Sequence, residues 1–210
     1  MLNFFKREKK EPMWSIPRAY IFIGRSGCGK GTQADLLSKF LCEKDKSCQT
    51  LHIETGAFLR EFVKGKTYTQ KLSKEIMEAG GLMPEAVMVA LWENYLFTHY
   101  TGKENLLFDG CPRKLHEAQL LDSALTFYKV SLPVVIYMNV SREWAKKRLE
   151  GRARKDDKQE AIEKRLKWFD AEVMPTINYY KDNTNYIFLD INGEKTIEEV
   201  HQEIINKLGL

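Results

Sequence analysis

No apolar run in this sequence approaches the length of a membrane-crossing helix, about twenty residues, so a helical span is not expected. Cysteine is sparse. Cys28, Cys42, Cys48 and Cys111 form no C-x-x-C pair, and no histidine stands at zinc-finger spacing. That argues against a disulfide scaffold or a zinc module and predicts reduced thiols in a cytoplasmic protein. Charge of one sign is also lacking. The formal net charge is +4, too small to signal a nucleic-acid-binding surface, and a few arginines gathered in one cleft account for it. The opening "MLNFFKREKKEP" has no apolar h-region, and Leu2 stands where myristoylation needs glycine, so neither a secretory signal nor that lipid anchor is expected. Lys6, Arg7, Lys9 and Lys10 beside Phe4 and Phe5 read as a solvated, flexible tail over 1–15 rather than a stable membrane contact. Neither an internal repeat nor a low-complexity linker is present. One domain over 16–210, ordinary in its 43% hydrophobic content and long enough to bury a core, is the simplest organisation.

Five continuous apolar runs read as strands covered on both faces: 19–24, 49–53, 105–109, 133–139 and 185–191. Helical patterns separate them. Residues 30–44 place Ala34, Leu37 and Leu41 on one face, and 84–98 carry Val87, Leu91, Tyr95 and Leu96 behind Pro84. A helix is predicted from a Ser141 cap to Gly151. Another begins at Asp157, supported by Glu160 and an i, i+4 pair with Lys164, and a capping box joins Thr196 to Glu199. Strands alternating with helices predict an α/β three-layer sandwich, a five-stranded parallel sheet with helices on both faces. About fifty residues separate the second and third strands, too many for one crossover helix, which predicts a helical insertion.

The first strand runs into "GRSGCGKGTQ". Gly24, Gly27 and Gly29 sit where backbone N–H groups can turn inward around an anion, and Lys30 opens a helix whose amino end favours negative charge. A buried strand, glycine turn, lysine and helix in that order make a ligand-free turn the weaker reading. Gly31 stands where the strict motif has a Ser or Thr to bind Mg²⁺, and Thr32 follows it. A magnesium ion held through water and substrate phosphate suits that departure.

"GKGTQ" resembles the loop of adenylate kinase-type nucleoside monophosphate kinases, with Arg25 and Ser26 in place of the usual residues between the first two glycines. "HIETGAFLR", "GGLMPEAV", "LFDGCPRKLHEAQ" and "RLEGRARKDDKQEAIEKR" are similar to further segments of that family in the same order. The resemblance implies a P-loop NTPase-like fold, a helical NMP-binding insertion over about 54–84 and a short lid over about 150–158, without the zinc-binding cysteines of long lids. It implies Mg²⁺-dependent phosphoryl transfer from ATP to AMP by a monomer, with no nucleic-acid partner. Gly27, Cys28, Gly29, Lys30, Gly31, Thr32, Arg148 and Arg152 would hold ATP. Thr55, Gly56, Arg60, Met83, Gly110, Arg113, Glu117, Arg154 and Arg165 would hold AMP. Asp109 would reach magnesium through water, and Lys30, Arg113, Arg152, Arg154 and Arg165 would act in catalysis. Asp156 and Asp157 would pair with the lid arginines.

Two departures fall on the acceptor side. Ala57 replaces the family's usual Asp, and Glu117 its usual Gln. An amide can donate to adenine N1 and accept from N6–H, whereas an ionised carboxylate only accepts. Three readings stay open: Glu117 is protonated, Gln119 takes its place, or the acceptor base is not adenine, as in a UMP/CMP-type kinase. A P-loop module that binds nucleotide without transferring phosphate is a further alternative, against which the arginine set argues.

Overall fold

The computed structural model describes residues 18–152, 154 and 158–210. The predicted tail, the lid acids Asp156 and Asp157, and the cap assigned to Asp157 lie outside these residues. Five parallel strands form one sheet: β1 (Ala19–Gly24), β2 (Thr50–Glu54), β3 (Asn105–Asp109), β4 (Val134–Asn139) and β5 (Ile187–Asn192), in the order β2-β3-β1-β4-β5. β1 lies at the centre, with Phe22 opposite Asp109 on one side and Gly24 opposite Met138 on the other. β1, β3 and β4 are buried on both faces as predicted, whereas the edge strands β2 and β5 alternate, with Thr50, His52 and Glu54 partly exposed and Asp190 and Asn192 exposed. Phe22, Leu107, Ile136 and Met138 face one hydrophobic cluster, and Ile21, Phe108, Val135 and Tyr137 face the other. The predicted three-layer α/β architecture is the one observed.

Helices fill both layers. α1 (Lys30–Lys44) buries Ala34, Leu37 and Leu41 as its periodicity predicts. Between β2 and β3 come α2 (Thr55–Phe62), α3 (Tyr68–Glu78) and α4 (Glu85–His99). The buried face of α4 differs from the predicted one: Met88, Val89, Trp92 and Leu96 are buried, while Val87, Leu91 and Tyr95 are only partly so. This helix serves two cores. Trp92 and Leu96 pack toward the sheet, and Met88, Val87 and Leu91 pack with Leu59, Val63 and Met83. α3 starts with a capping box between Thr67 and Gln70 that the sequence reading did not pick out.

α5 (Leu115–Phe127) follows β3, and α6 (Arg142–Arg152) follows β4. Ser141 Oγ accepts the Trp144 N–H at 3.2 Å, the predicted cap, and α6 continues through Gly151 to Arg152. α7 (Gln159–Trp168), a π-helical turn at Phe169–Val173 and α8 (Met174–Asp182) make one interrupted path, with Pro175 at the start of α8. α9 (Ile197–Leu208) begins at the predicted box, Thr196 accepting from Glu199 N at 3.2 Å. No helix among the described residues is long and apolar enough to cross a membrane.

Candidate active site

Ligands in an open parallel sheet bind beyond the carboxyl ends of its strands. Here those ends are Gly24, Glu54, Asp109, Asn139 and Asn192, and a cleft of about 1030 Å³ opens above the first three. Gly24 must be glycine, because a Cβ there would sit 2.6 Å from the Met138 carbonyl oxygen. Gly29, left-handed at φ 94°, turns the chain into α1 and leaves the first-turn N–H groups facing the cleft. Lys30 Nζ donates to the Gly24 and Arg25 carbonyls at 2.9 and 3.0 Å, so the ammonium lies across the loop.

Arg25, the residue that departs from the usual loop, ties this turn to the rest of the molecule. Its Nε donates to the Val140 carbonyl at 3.2 Å, Nη2 pairs with Asp170 at 2.7 Å, and the guanidinium lies 4.3 Å from the centre of the buried Phe169 ring. Asp170 also receives Arg142 at 3.6 Å, and Arg142 reaches Glu163 at 2.8 Å. The loop is thereby tethered to α6, α7 and the π-helical turn.

Asp109 ends β3 at the cleft floor. Burial pushes its carboxyl up, opposed by the charge of Lys30. A Cβ at Gly31 would lie 3.0 Å from its Oδ2, so the missing side chain leaves space between α1 and this carboxylate. A desolvated acid facing open space near a phosphate loop fits a divalent cation held through water.

On the other side of the cleft, Arg60 Nη2 pairs with Glu54 at 2.8 Å. Arg113 Nε donates to the Gly110 carbonyl at 2.8 Å, and its guanidinium lies 5.5 Å from the Trp168 ring centre. Burial lowers the Arg113 pKa, opposed chiefly by the Glu117 charge. Arg148 lies 5.0 Å from the Trp144 ring centre at the far wall.

The cleft gathers Gly27, Gly29, Lys30, Gly31, Thr32, Gly56, Arg60, Met83, Asp109, Gly110, Arg113, Arg148, Arg152, Arg154 and Arg165 from the predicted set. Three predicted residues lie behind its wall. Cys28 is buried. Thr55 is buried, and its hydroxyl donates to the Asp109 carbonyl at 3.2 Å. Glu117 is 1% exposed, and its Oε2 accepts the Arg113 backbone N–H at 2.7 Å. It braces the start of α5, where an acid favours the helix dipole. Gln119 is exposed.

Several lining residues escaped the sequence reading: Asp35, His52, Glu54, Trp144, Lys147, Trp168 and Lys195. His52 Nδ1 sits 3.4 Å from Asp35, and its Nε2 is buried without a hydrogen-bond partner among the described residues. Lys195 was findable, since it lies just beyond the carboxyl end of the last strand.

The adenylate kinase sequence profile matches residues 22–185. The chain belongs to the adenylate kinase family. It is 34% identical over 189 residues to an adenylate kinase of Prochlorococcus marinus, covering 90% of this chain and 97% of that one. An adenylate kinase 1 of Nostoc is 33% identical with the same coverage. An adenylate kinase of Leptospira biflexa is 34% identical over 192 residues, covering 90% of this chain and 98% of the relative. Membership spans the strand before the phosphate loop through α8, so every predicted cleft residue falls inside the matched stretch.

Proposed function

We propose that this chain is an adenylate kinase that reversibly transfers the terminal phosphoryl group of Mg-ATP to AMP, giving two ADP. One observation carries the reading: Lys30, Asp109, Arg60, Arg113, Arg148, Arg152, Arg154 and Arg165 border a single cleft above a phosphate loop. The transition state of phosphoryl transfer spreads negative charge over peripheral oxygens, so positioned cations and backbone N–H groups supply most of the catalysis.

In this reading Lys30 and the loop from Gly27 to Thr32 hold the donor phosphates, and Arg148 lies on the donor base. Arg60 and Arg113 fix the acceptor phosphate in line, with Gly56, Met83 and Gly110 beside it. Arg152, Arg154 and Arg165 close over the moving group, where planar guanidinium forks bind phosphate oxygens two at a time. Magnesium, the family's usual cofactor, neutralises charge on the donor phosphates when bound, and Asp109 would hold its water shell. The attacking oxygen belongs to an already ionised phosphate, so no general base is assigned.

Adenine as acceptor base is supported by the relatives, which are adenylate kinases. Glu117 bears on it less directly than its sequence position suggests, because its carboxylate is engaged with the backbone at the start of α5. We assign residues 54–84 to acceptor binding and 150–158 to the lid, and expect a monomer in the cytoplasm. The deciding experiment follows nucleoside diphosphate from Mg-ATP with AMP, CMP, UMP or GMP. Turnover with AMP well above the others is expected. Preference for CMP or UMP would overturn the acceptor assignment, and binding without turnover would leave a nucleotide-binding module.

A further inference from the structure

At the opposite end of α1 from the phosphate loop, two thiols meet. Cys42 occupies the last turn of α1, and Cys48 lies just before β2. The chain between them is folded back by a local turn. Cys48 N–H donates to the Asp45 carbonyl at 3.0 Å, and Ser47 bonds the Asp45 carboxylate through both its N–H and its hydroxyl at 2.8 and 2.7 Å. This turn brings Cys42 Sγ to 2.6 Å from Cys48 Sγ. Asn105 holds Cys48 from the other side, its Nδ2 donating to the sulfur at 3.6 Å while its Oδ1 accepts the Arg18 N–H at 3.0 Å. Both sulfur-bearing residues are partly exposed, whereas Cys28 and Cys111 are buried.

We propose that Cys42 and Cys48 form a reversible disulfide when the protein meets a low-molecular-weight disulfide. A disulfide needs its two sulfurs about 2.05 Å apart, and the folded turn already holds this pair side by side. The short separating segment is already folded, which removes most of the cost of closing it.

In the first step the Cys42 sulfur attacks one sulfur of the small disulfide. A mixed disulfide forms on Cys42, and one small thiol leaves with the proton that Cys42 gives up. In the second, Cys48 attacks the Cys42 sulfur, the protein disulfide forms, and the second small thiol leaves with the Cys48 proton. Two protein thiols are oxidised and one small disulfide is reduced to two thiols. Burial, and then the neighbouring Cys42, push the Cys48 thiol up to about 12, so little of it is thiolate and the first attack is assigned to Cys42. The predicted reduced state is then the resting form of this pair rather than its only one.

The test exposes the full chain to oxidised glutathione, denatures it, labels remaining thiols with N-ethylmaleimide and measures intact mass. Expected are two labelled thiols instead of four and the loss of two hydrogens relative to the reduced chain. Tryptic digestion without reductant should then yield residues 40–44 joined to residues 47–60, and dithiothreitol should release them. Cys48→Ser should stop at one glutathione on Cys42 with no cross-link. Four labelled thiols, a stable glutathione adduct on the unaltered chain, or a link through Cys28 or Cys111 would each overturn the proposal.

Discussion

Arg113 is aimed before any phosphate arrives. The Gly110 carbonyl fixes its Nε, the Trp168 ring covers its guanidinium, and Glu117 holds its backbone N–H. Such preorganisation lowers the cost of binding a phosphate bidentately. Arg113→Ala is expected to lower kcat/KM for AMP about a hundredfold or more, the weight of two lost charge-assisted hydrogen bonds, and Arg113→Lys to recover little of it. Steady-state kinetics beside circular dichroism checks this, and unchanged turnover would remove Arg113 from the acceptor site. Glu117 offers a separate test through pH. Burial raises its carboxyl pKa despite the Arg113 N–H bond. Between the unfolded and folded pKa values the native state binds more protons, so this residue's contribution to stability falls as pH rises through that window. Glu117→Gln, whose amide oxygen can still accept from Arg113, should therefore gain in Tm relative to the unaltered chain as pH rises from the acid range toward neutral. A Tm difference independent of pH would contradict a raised pKa. The arginines were legible through the family resemblance, Arg60 and Arg113 in its acceptor segments and Arg148, Arg152, Arg154 and Arg165 in its lid-like stretch. The inward rotation of Glu117 was not, because helix-capping geometry decides it and sequence spacing does not.

Arg25 shows what an element-level view adds. Sequence marks it only as an unusual loop residue, yet it links the phosphate loop to α6, α7 and the π-helical turn through Asp170, Phe169 and the Val140 carbonyl. Its stacking on a buried ring should outweigh its ion pair, since Asp170 is half exposed and solvent screens it. Arg25→Ala is expected to cost about 1–2 kcal/mol in denaturant unfolding and to raise KM for ATP several-fold, whereas Asp170→Asn should cost about 0.5 kcal/mol or less. Equal losses would place the coupling in the ion pair instead. The elements themselves were largely readable: β1, β3 and α1 fall on their predicted bounds, because buried strands and a lysine-led helix leave strong local patterns. The face of α4 was misread for a physical reason. A helix wedged between two cores is apolar on more than one side, so no single stripe identifies what it buries.

Taken whole, the molecule divides its apolar surface unequally. Two large clusters cover the faces of the sheet, whereas α2 and the turn at Met83 share a small one with α4, built on Leu59, Val63, Met83 and Met88. Few buried contacts mean a low cost of local opening. One fixed point limits that opening: Trp168 Nε1 donates to the Gly80 carbonyl at 3.1 Å, and a Cβ at Gly80 would sit 2.5 Å from the Ala161 Cα. Gly80, at φ 68°, is thus a contact through which the proposed acceptor-binding segment meets α7. Gly80→Ala forces both a left-handed alanine and a backbone clash, and should cost roughly 2–4 kcal/mol in stability, read by denaturant unfolding. If the segment opens as a unit, amides of residues 55–79 exchange with deuterium faster than those of β1, β3 and β4, AMP slows them selectively, and Gly80→Ala removes much of that slowing. Uniform protection across the chain would mean that the small cluster unfolds only with the sheet. Slowing by AMP confined to β1 and α1 would instead place the acceptor on the donor side, against the assignment of Arg60 and Arg113.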